Sequence, residues 1–246
     1  MNLDMLNIDT DVEENEDYIP GGDFSFNTGV YPMKVDIAYM GESTRGAVSL
    51  TAHFKEVDGN RTHRETFYET SGKAKGRSNT YTDRGGKKRL LPGMEAMNQL
   101  AIVVTGQKLA QLSPEKRTIK LYNYEAKKDL PTDVPALTDL IGKTVHIALT
   151  KCRENKRVKV GTDYVDSAEE RIFNEATKFL YEDGHTVAEK IADSVETTWQ
   201  TGWTEKCPAD YVKDSYKEVA VGAGVEAASA DAAETNAESV KGLFDD

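Results

Sequence analysis

The chain has 246 residues, 38% of them hydrophobic and 30% charged, a balance that suits one folded domain with polar appendages better than a uniformly globular chain. Its formal net charge of −11 hides a segregation: residues 1–20 hold seven acids and no Lys or Arg, residues 218–246 hold seven acids against Lys241, and residues 45–160 hold 23 bases against 12 acids. A local basic face neutralises phosphates whatever the global sum, so the acidity does not exclude nucleic acid; apolar runs as short as that around Ala101 to Val104 do exclude a membrane-spanning helix.

Two distant cysteines, Cys152 and Cys207, and four His give no zinc spacing and no disulfide framework, so reduced thiols, a cytoplasmic setting and no cofactor are expected. The acidic start lacks the basic region and apolar run of a signal peptide. Residues 1–22 read as an acidic arm. Asp9-x-Asp11-x-Glu13 fails as a calcium loop, because Glu14 stands where the turn glycine belongs.

Residues 29–40 (GVYPMKVDIAYM) predict a strand with Met33, Val35, Ile37 and Tyr39 on one face. Residues 46–57 predict a second, burying Val48, Leu50, Ala52 and Phe54, and Asp58-Gly59-Asn60 predicts a hairpin turn. The returning strand, residues 61–70, has two registers. One turns Arg61, His63, Glu65 and Phe67 outward, the other Thr62, Arg64, Thr66 and Tyr68, and either set combines bases with an aromatic.

Residues 71–89 (SGKAKGRSNTYTDRGGKKR) contain seven Lys/Arg, four Gly and one acid, Asp83. Lys73, Lys75, Arg77, Arg84, Lys87, Lys88 and Arg89 supply charge for a polyanion, the glycines let backbone N–H groups approach it, and Tyr81 adds a ring; a solvated charged loop is the plain alternative. Gly85-Gly86-Lys87 is no phosphate-binding P-loop, since Tyr81 occupies the earlier glycine position and no Ser or Thr follows Lys87.

A helix is expected over residues 94–104, with Met94, Met97, Leu100 or Ala101, and Val104 at packing intervals and Gly106 as its cap. Residues 118–125 form a short strand or loop with Tyr122 and Tyr124 on one side, Pro131 and Pro135 break the next stretch, and residues 136–141 make a helical turn. Residues 142–153 predict a strand with Val145, Ile147 and Leu149 inward. Glu154-Asn155-Lys156 reads as a turn into residues 157–165, gathering Arg153, Lys156 and Arg157 as a second basic cluster or a solvated hairpin tip.

Residues 166–182 fit a helix with Ser167 and Glu170 at capping-box spacing, and residues 186–199 continue helically through Val187, Ile191 and Val195. Trp199, Trp203 and Tyr211 are expected to anchor this extension, residues 166–217, on the body. Residues 218–246 have too little apolar bulk to fold alone and end in Leu243-Phe244-Asp245-Asp246.

Hairpins first, a central helix and a closing basic hairpin suit a mainly β fold, an OB-like Greek-key barrel over residues 23–165 with helical additions and acidic termini. The acidic linker with its hydrophobic, carboxylate-bearing tip resembles the tails of bacterial and phage single-stranded DNA-binding proteins. The body is similar to the phage-encoded members through Gly29-Val30-Tyr31, Phe54 with Val57-Asp58-Gly59, and Ile141-Gly142-Lys143-Thr144-Val145. A weaker likeness runs through Asn174-Glu175 and Gly184-His185-Thr186 with Glu189, where it implies an extended segment rather than the helix. The resemblance implies sequence-tolerant coating of single-stranded DNA in phage replication, recombination and repair. It also implies that Leu243, Phe244, Asp245 and Asp246 dock a partner such as a polymerase, helicase, nuclease or RNA polymerase. The tip differs from the commonest tails in carrying two carboxylates after Phe244.

On that reading the bases of residues 73–89 with Arg153, Lys156 and Arg157 meet phosphates, while Tyr81, Phe67 or Tyr68, Tyr122 and Tyr124 stack bases. The rival readings are a metal-dependent nuclease using Glu65, Glu69 and Lys73, or Asp36 with Glu56, and a recombination mediator or transcription cofactor acting through its acidic ends. Neither rival has diagnostic spacing, and no catalysis and no metal are expected. Site size, cooperativity and oligomeric state are not encoded legibly.

Overall fold

The computed structural model describes residues 25–123, 126–161 and 163–219. Tyr124, the acidic arm of residues 1–22 and the tail tip Leu243, Phe244, Asp245 and Asp246 lie outside the described residues. The fold is mainly β.

Strands β1 (Gly29–Glu42), β2 (Val48–Glu56) and β3 (Thr62–Tyr68) form an antiparallel meander, as the alternation and the turn residues dictate. A small hairpin, β4 (Thr80–Thr82) with β5 (Lys88–Leu90), lies between β3 and helix α1 (Pro92–Thr105). The hairpin β6 (Glu115–Asn123) and β7 (Lys128–Ala136) comes next, then the long hairpin β8 (Thr144–Val160) and β9 (Asp163–Leu180). Helices α2 (Val187–Ile191) and α3 (Thr198–Lys206) precede β10 (Val212–Asp214), which pairs in parallel with β8.

Strand β1 serves two main partners, besides a single bridge from Tyr39 to Ala136 of β7. Its first six residues, Gly29 to Lys34, pair with Leu149 to Thr144 of β8, and Met33 to Glu42 pair with β2. Between Val35 and Ile37 the register slips by one residue. A one-residue slip exchanges the faces of everything beyond it. Met33, Val35 and Ala38 are therefore core, and Ile37 and Tyr39 point to the opposite side, correcting the expected shared face.

The core joins Met33, Val35, Leu50 and Phe54 to Ile147, Leu149 and Phe179, closed at one end by Met97, Leu100 and Ala101 of α1. Pro92 fits the first turn of α1, where no intrahelical N–H is lost, and Gly106 ends it with φ of 74°. Gly93 is packed so closely on β3 that an added Cβ would come within 2.2 Å of the Tyr68 carbonyl oxygen.

The sheet curls until β3 faces β9, but no ladder joins them and the barrel is not closed. A side chain bridges the seam instead. Glu65 Oε2 accepts the Ala176 N–H at 2.8 Å and lies 2.9 Å from His63 Nε2, while Phe67 and Phe54 pack on Phe179 at ring separations of 5.8 and 5.9 Å.

Several expectations are overturned. Residues 166–182 are not a helix: residues 166–180 belong to β9 and Tyr181 and Glu182 lead into a turn, and the capping box belongs to Thr186 and Glu189 at the start of α2. The boundary drawn after residue 165 falls inside that strand. The pull toward strand is tertiary: Arg153, Lys156, Arg157 and Glu154 of β8 meet Glu170, Glu169, Asp166 and Arg171 of β9, overriding the helical propensity of an Ala-Glu-Glu-Arg run. Glu154-Asn155-Lys156 is mid-strand rather than a turn. Pro131 and Pro135 do not break the chain; they sit in β7, most of which pairs on one side only, so the missing N–H groups cost no ladder bond there. The segment after Thr186 divides into α2 and α3, leaving Ile191 and Val195 exposed. Among the described residues no helix is long and apolar enough to cross a membrane.

Burial, and secondarily the Glu175 carboxylate, pushes the Cys152 thiol up to about 12. In folded protein at neutral pH a disulfide reagent is expected to titrate Cys207 alone, with Cys152 reacting only on denaturation; two fast equivalents in the native state would contradict this. Glu65→Ala strands the Ala176 N–H, and urea unfolding is expected to show a loss of about 1 to 3 kcal/mol.

Candidate nucleic-acid interface

The side of the meander turned away from the core is built by register. Successive rows across β1, β2 and β3 are Lys34, Lys55, Thr62; Ile37, His53, Arg64; Tyr39, Thr51, Thr66; and Gly41, Ser49, Tyr68. The two readings of β3 are thereby resolved. Phe67 is 6% exposed and in the core, so its ring is not offered for stacking, while Tyr68 shares the outer face with Arg64.

This face exposes its cations at one end and buries its middle, where Tyr39 is 8% and Thr51 6% exposed. Tyr39 and His53 meet edge to face at 6.2 Å, and the Thr51 and Thr66 hydroxyls bond at 2.9 Å. Burial, reinforced by the neighbouring Arg64 cation, holds His53 below its ordinary range, so the ring is neutral at pH 7. Its Nε2 has no hydrogen-bond partner. Lys34, Lys55 and Arg64 are exposed and make no ion pair among the described residues. Sequence reasoning missed Tyr39, His53, Lys34 and Lys55 because the slip in β1 is invisible in a stretch apolar at residues 37 to 40.

The lysine-rich excursion begins where that face ends. It leaves β3 after Tyr68 and rejoins at α1, whose Gly93 rests on the Tyr68 backbone. Lys73 N donates to Arg45 O at 2.9 Å and Ser71 N to Ser78 O at 2.8 Å, which ties the short 3-10 turn at Lys73–Lys75 to the β1–β2 connection. Glu42, the last residue of β1, holds Arg77 at 2.6 Å and Lys73 at 3.4 Å. Arg77 itself is left-handed at φ of 52°, directly after Gly76 at 74°.

Asp83 organises the second half of the excursion. Its Oδ1 accepts from Gly85 N and Lys87 N, and its Oδ2 from Arg89 Nε at 2.5 Å. These donors, the Arg89 guanidinium first, hold the carboxyl below its ordinary range. Arg84, Lys87 and Lys88 have no carboxylate partner among the described residues, and Tyr81, opposite Arg89 in the hairpin, is 43% exposed. The sole acid is thus used to fold the loop.

The second basic cluster does not join the first. Gly29 lies opposite Leu149, so Arg153, Lys156 and Arg157 stand beyond one end of β1 while the excursion packs at the other, and 14 residues of strand span roughly 40 Å along the chain. Their charges are also engaged. Arg153 pairs with Glu170 at 2.8 Å and Asp214 at 3.2 Å beneath the Tyr216 ring, Lys156 with Glu169 at 2.9 Å, and Arg157 with Asp166 at 3.7 Å. Tyr122 is 43% exposed on the β6–β7 hairpin, on the same side of β6 as Lys120.

The carboxylates of the nuclease reading have other occupations. Glu56 binds Arg61 through two hydrogen bonds of 3.0 and 2.7 Å, Glu65 spans the seam, and burial raises the Glu69 carboxyl above its ordinary range. Among the described residues no three His, Cys, Asp or Glu gather as metal ligands.

Asp83→Ala removes the acceptor on which the β4–β5 hairpin turns. Trypsin is expected to cut after residues 84 to 89 several times faster in this variant while the global unfolding midpoint stays put, as local opening requires; an unchanged cleavage rate would deny Asp83 that role. The chain matches no family model and no curated protein.

Proposed function

We propose that the chain is a non-catalytic single-stranded DNA-binding protein that coats unpaired DNA with little sequence preference. The observation that carries this reading is a set of exposed cations, Lys34, Lys55 and Arg64, on the same outer side of β1, β2 and β3 as the half-buried Tyr68, where the lysine-rich excursion leaves the sheet. A strand laid along the face meets Lys34, Lys55 and Arg64, offers bases to Tyr68 and Tyr81, and reaches Arg84, Lys87 and Lys88, none of which has a carboxylate partner among the described residues. Unpaired bases stack without regard to identity because every base has a π face.

The strand order supports an OB-type barrel: a three-strand meander, a helix, then a hairpin whose first strand returns to β1. Its seam between β3 and β9 is spanned by Glu65 in place of a ladder. With the acidic tail and its Leu243-Phe244-Asp245-Asp246 tip, this supports a phage-type role in replication, recombination and repair in the host cytoplasm, the tip recruiting a replication or recombination enzyme. The acids of residues 218–246 compete for the same cations in free protein.

Titrating labelled homopolymer at several salt concentrations tests the reading. For contacts to about five to eight phosphates, log K falls with log salt at a slope of roughly −3.5 to −6, and Lys88→Gln flattens that slope by about 0.7. Arg157→Gln leaves it unchanged, because its charge is already engaged. Deleting residues 227–246 tightens binding at low salt. A flat salt response, or equal binding to duplex, removes the reading.

A further inference from the structure

Both tryptophans of the chain, Trp199 and Trp203, lie on α3 with rings stacked at 5.7 Å and 10°. An indole that serves only to anchor a helix is driven into the core, but α3 has no buried residue and both tryptophans are half-buried. Their placement is nevertheless fixed. Trp199 N donates to Glu189 Oε1 at 2.7 Å, the same carboxylate whose Oε2 accepts Thr186 N, and Gln200 fills the space that a side chain on Gly184 would need. The pair is tied to the start of α2 and remains partly accessible.

A single lysine stands beside it on the side toward the sheet. Lys178 Nζ stands 5.9 Å from the Trp199 ring centroid and has no carboxylate partner among the described residues. Lys190 lies 5.8 Å from the Tyr181 ring and binds Asp183. Lys178 is opposite Ala148 of β8, and Ala148 is opposite Val30 of β1. Val30 shares the outer side of β1 with Lys34, about 13 Å further along the strand. The indoles therefore flank the outer face at the end away from the lysine-rich excursion.

We propose that the Trp199–Trp203 stack is a second base-stacking site for single-stranded DNA, a nucleobase lying on Trp203 with a neighbouring phosphate drawn to Lys178. The inference rests on the function proposed above and extends its strand path across β1 onto α3. Charge favours nucleic acid over an apolar protein partner here, since Lys178 offers an unneutralised cation beside a π face.

Because no other tryptophan exists, indole emission reads this site alone. Full-length protein is titrated with labelled oligothymidylate, following label anisotropy and tryptophan emission together. Emission is expected to be quenched in step with the anisotropy rise, and bound oligonucleotide to shield the indoles from acrylamide. Trp203→Ala weakens binding about 5- to 150-fold while Trp203→Phe keeps most of the affinity, and Lys178→Gln flattens the salt slope by about 0.7. If Trp203→Ala fails to fold, quenching and shielding of the native protein decide. Full binding with unaltered emission and acrylamide access overturns this site, leaves the DNA-binding reading standing, and gives the pair to a protein partner. Absence of any anisotropy change defeats that reading and this inference together.

Discussion

The structure depends on β1 pairing with β8 along its first half and with β2 along its second. One strand cannot turn the same set of side chains inward against two partners on a curling sheet without losing phase. The slip between Val35 and Ile37 absorbs that mismatch, and its cost is one unpaired residue. Its consequence is larger than the slip. Ala38 takes the core position that Ile37 would have held, and Tyr39 turns outward beside His53 and Thr51. The placement of Ile37 and Tyr39 on the outer face is a product of this single irregularity.

Two populations of cations arise from where acids stand. Along the β8–β9 arm Arg153, Lys156, Arg157 and Arg171 meet carboxylates on neighbouring strands, at 2.8 to 3.7 Å, and exposed pairs of this kind contribute little to stability. Their stronger effect is on register, because a displaced β9 would set like charges opposite one another. On the outer face and at the hairpin of residues 80–90, Arg64, Lys55, Arg84, Lys87 and Lys88 have no such partners among the described residues. A phosphate approaching them displaces only counterions, whereas on the arm it must first expel a carboxylate. Net charge by segment treats both populations alike, and only pairing separates them.

Legibility in the sequence tracked how local each determinant is. The meander, the turn at Asp58-Gly59-Asn60, α1 and its Gly106 cap were all readable, since alternation, turn chemistry and helical spacing are properties of neighbouring residues. β9 was not readable from its residues, because Ile172, Phe173, Ala176, Phe179 and Leu180 fit a helical stripe as well as a bulged strand. Its partner decides. The likeness of Asn174-Glu175 and Gly184-His185-Thr186 to an extended segment gave the better signal there. The neutralisation of Arg153, Lys156 and Arg157 was hidden for the same reason: acids 9 to 61 residues away in sequence become neighbours only after β9 and β10 are laid down.

The open seam between β3 and β9 can be argued from the same constraint. Closing it with a ladder would require β9 to keep strict alternation past Ala176, but the register of β8 with β9 shifts between Ala148 and Leu149, leaving Thr177 to bond Thr150 through its hydroxyl at 2.6 Å. The Ala176 N–H that faces β3 then has no backbone acceptor within the pair, and an unpaired edge donor invites another strand. Glu65 removes the invitation: one carboxylate oxygen takes the N–H, the charge deters a neutral edge from docking, and His63, stacked on Phe54 at 6.1 Å, fixes the carboxylate from behind. An acid on an otherwise apolar face of β3, between Phe67 and His63, is thereby accounted for as a substitute for the ladder that the bulge forbids.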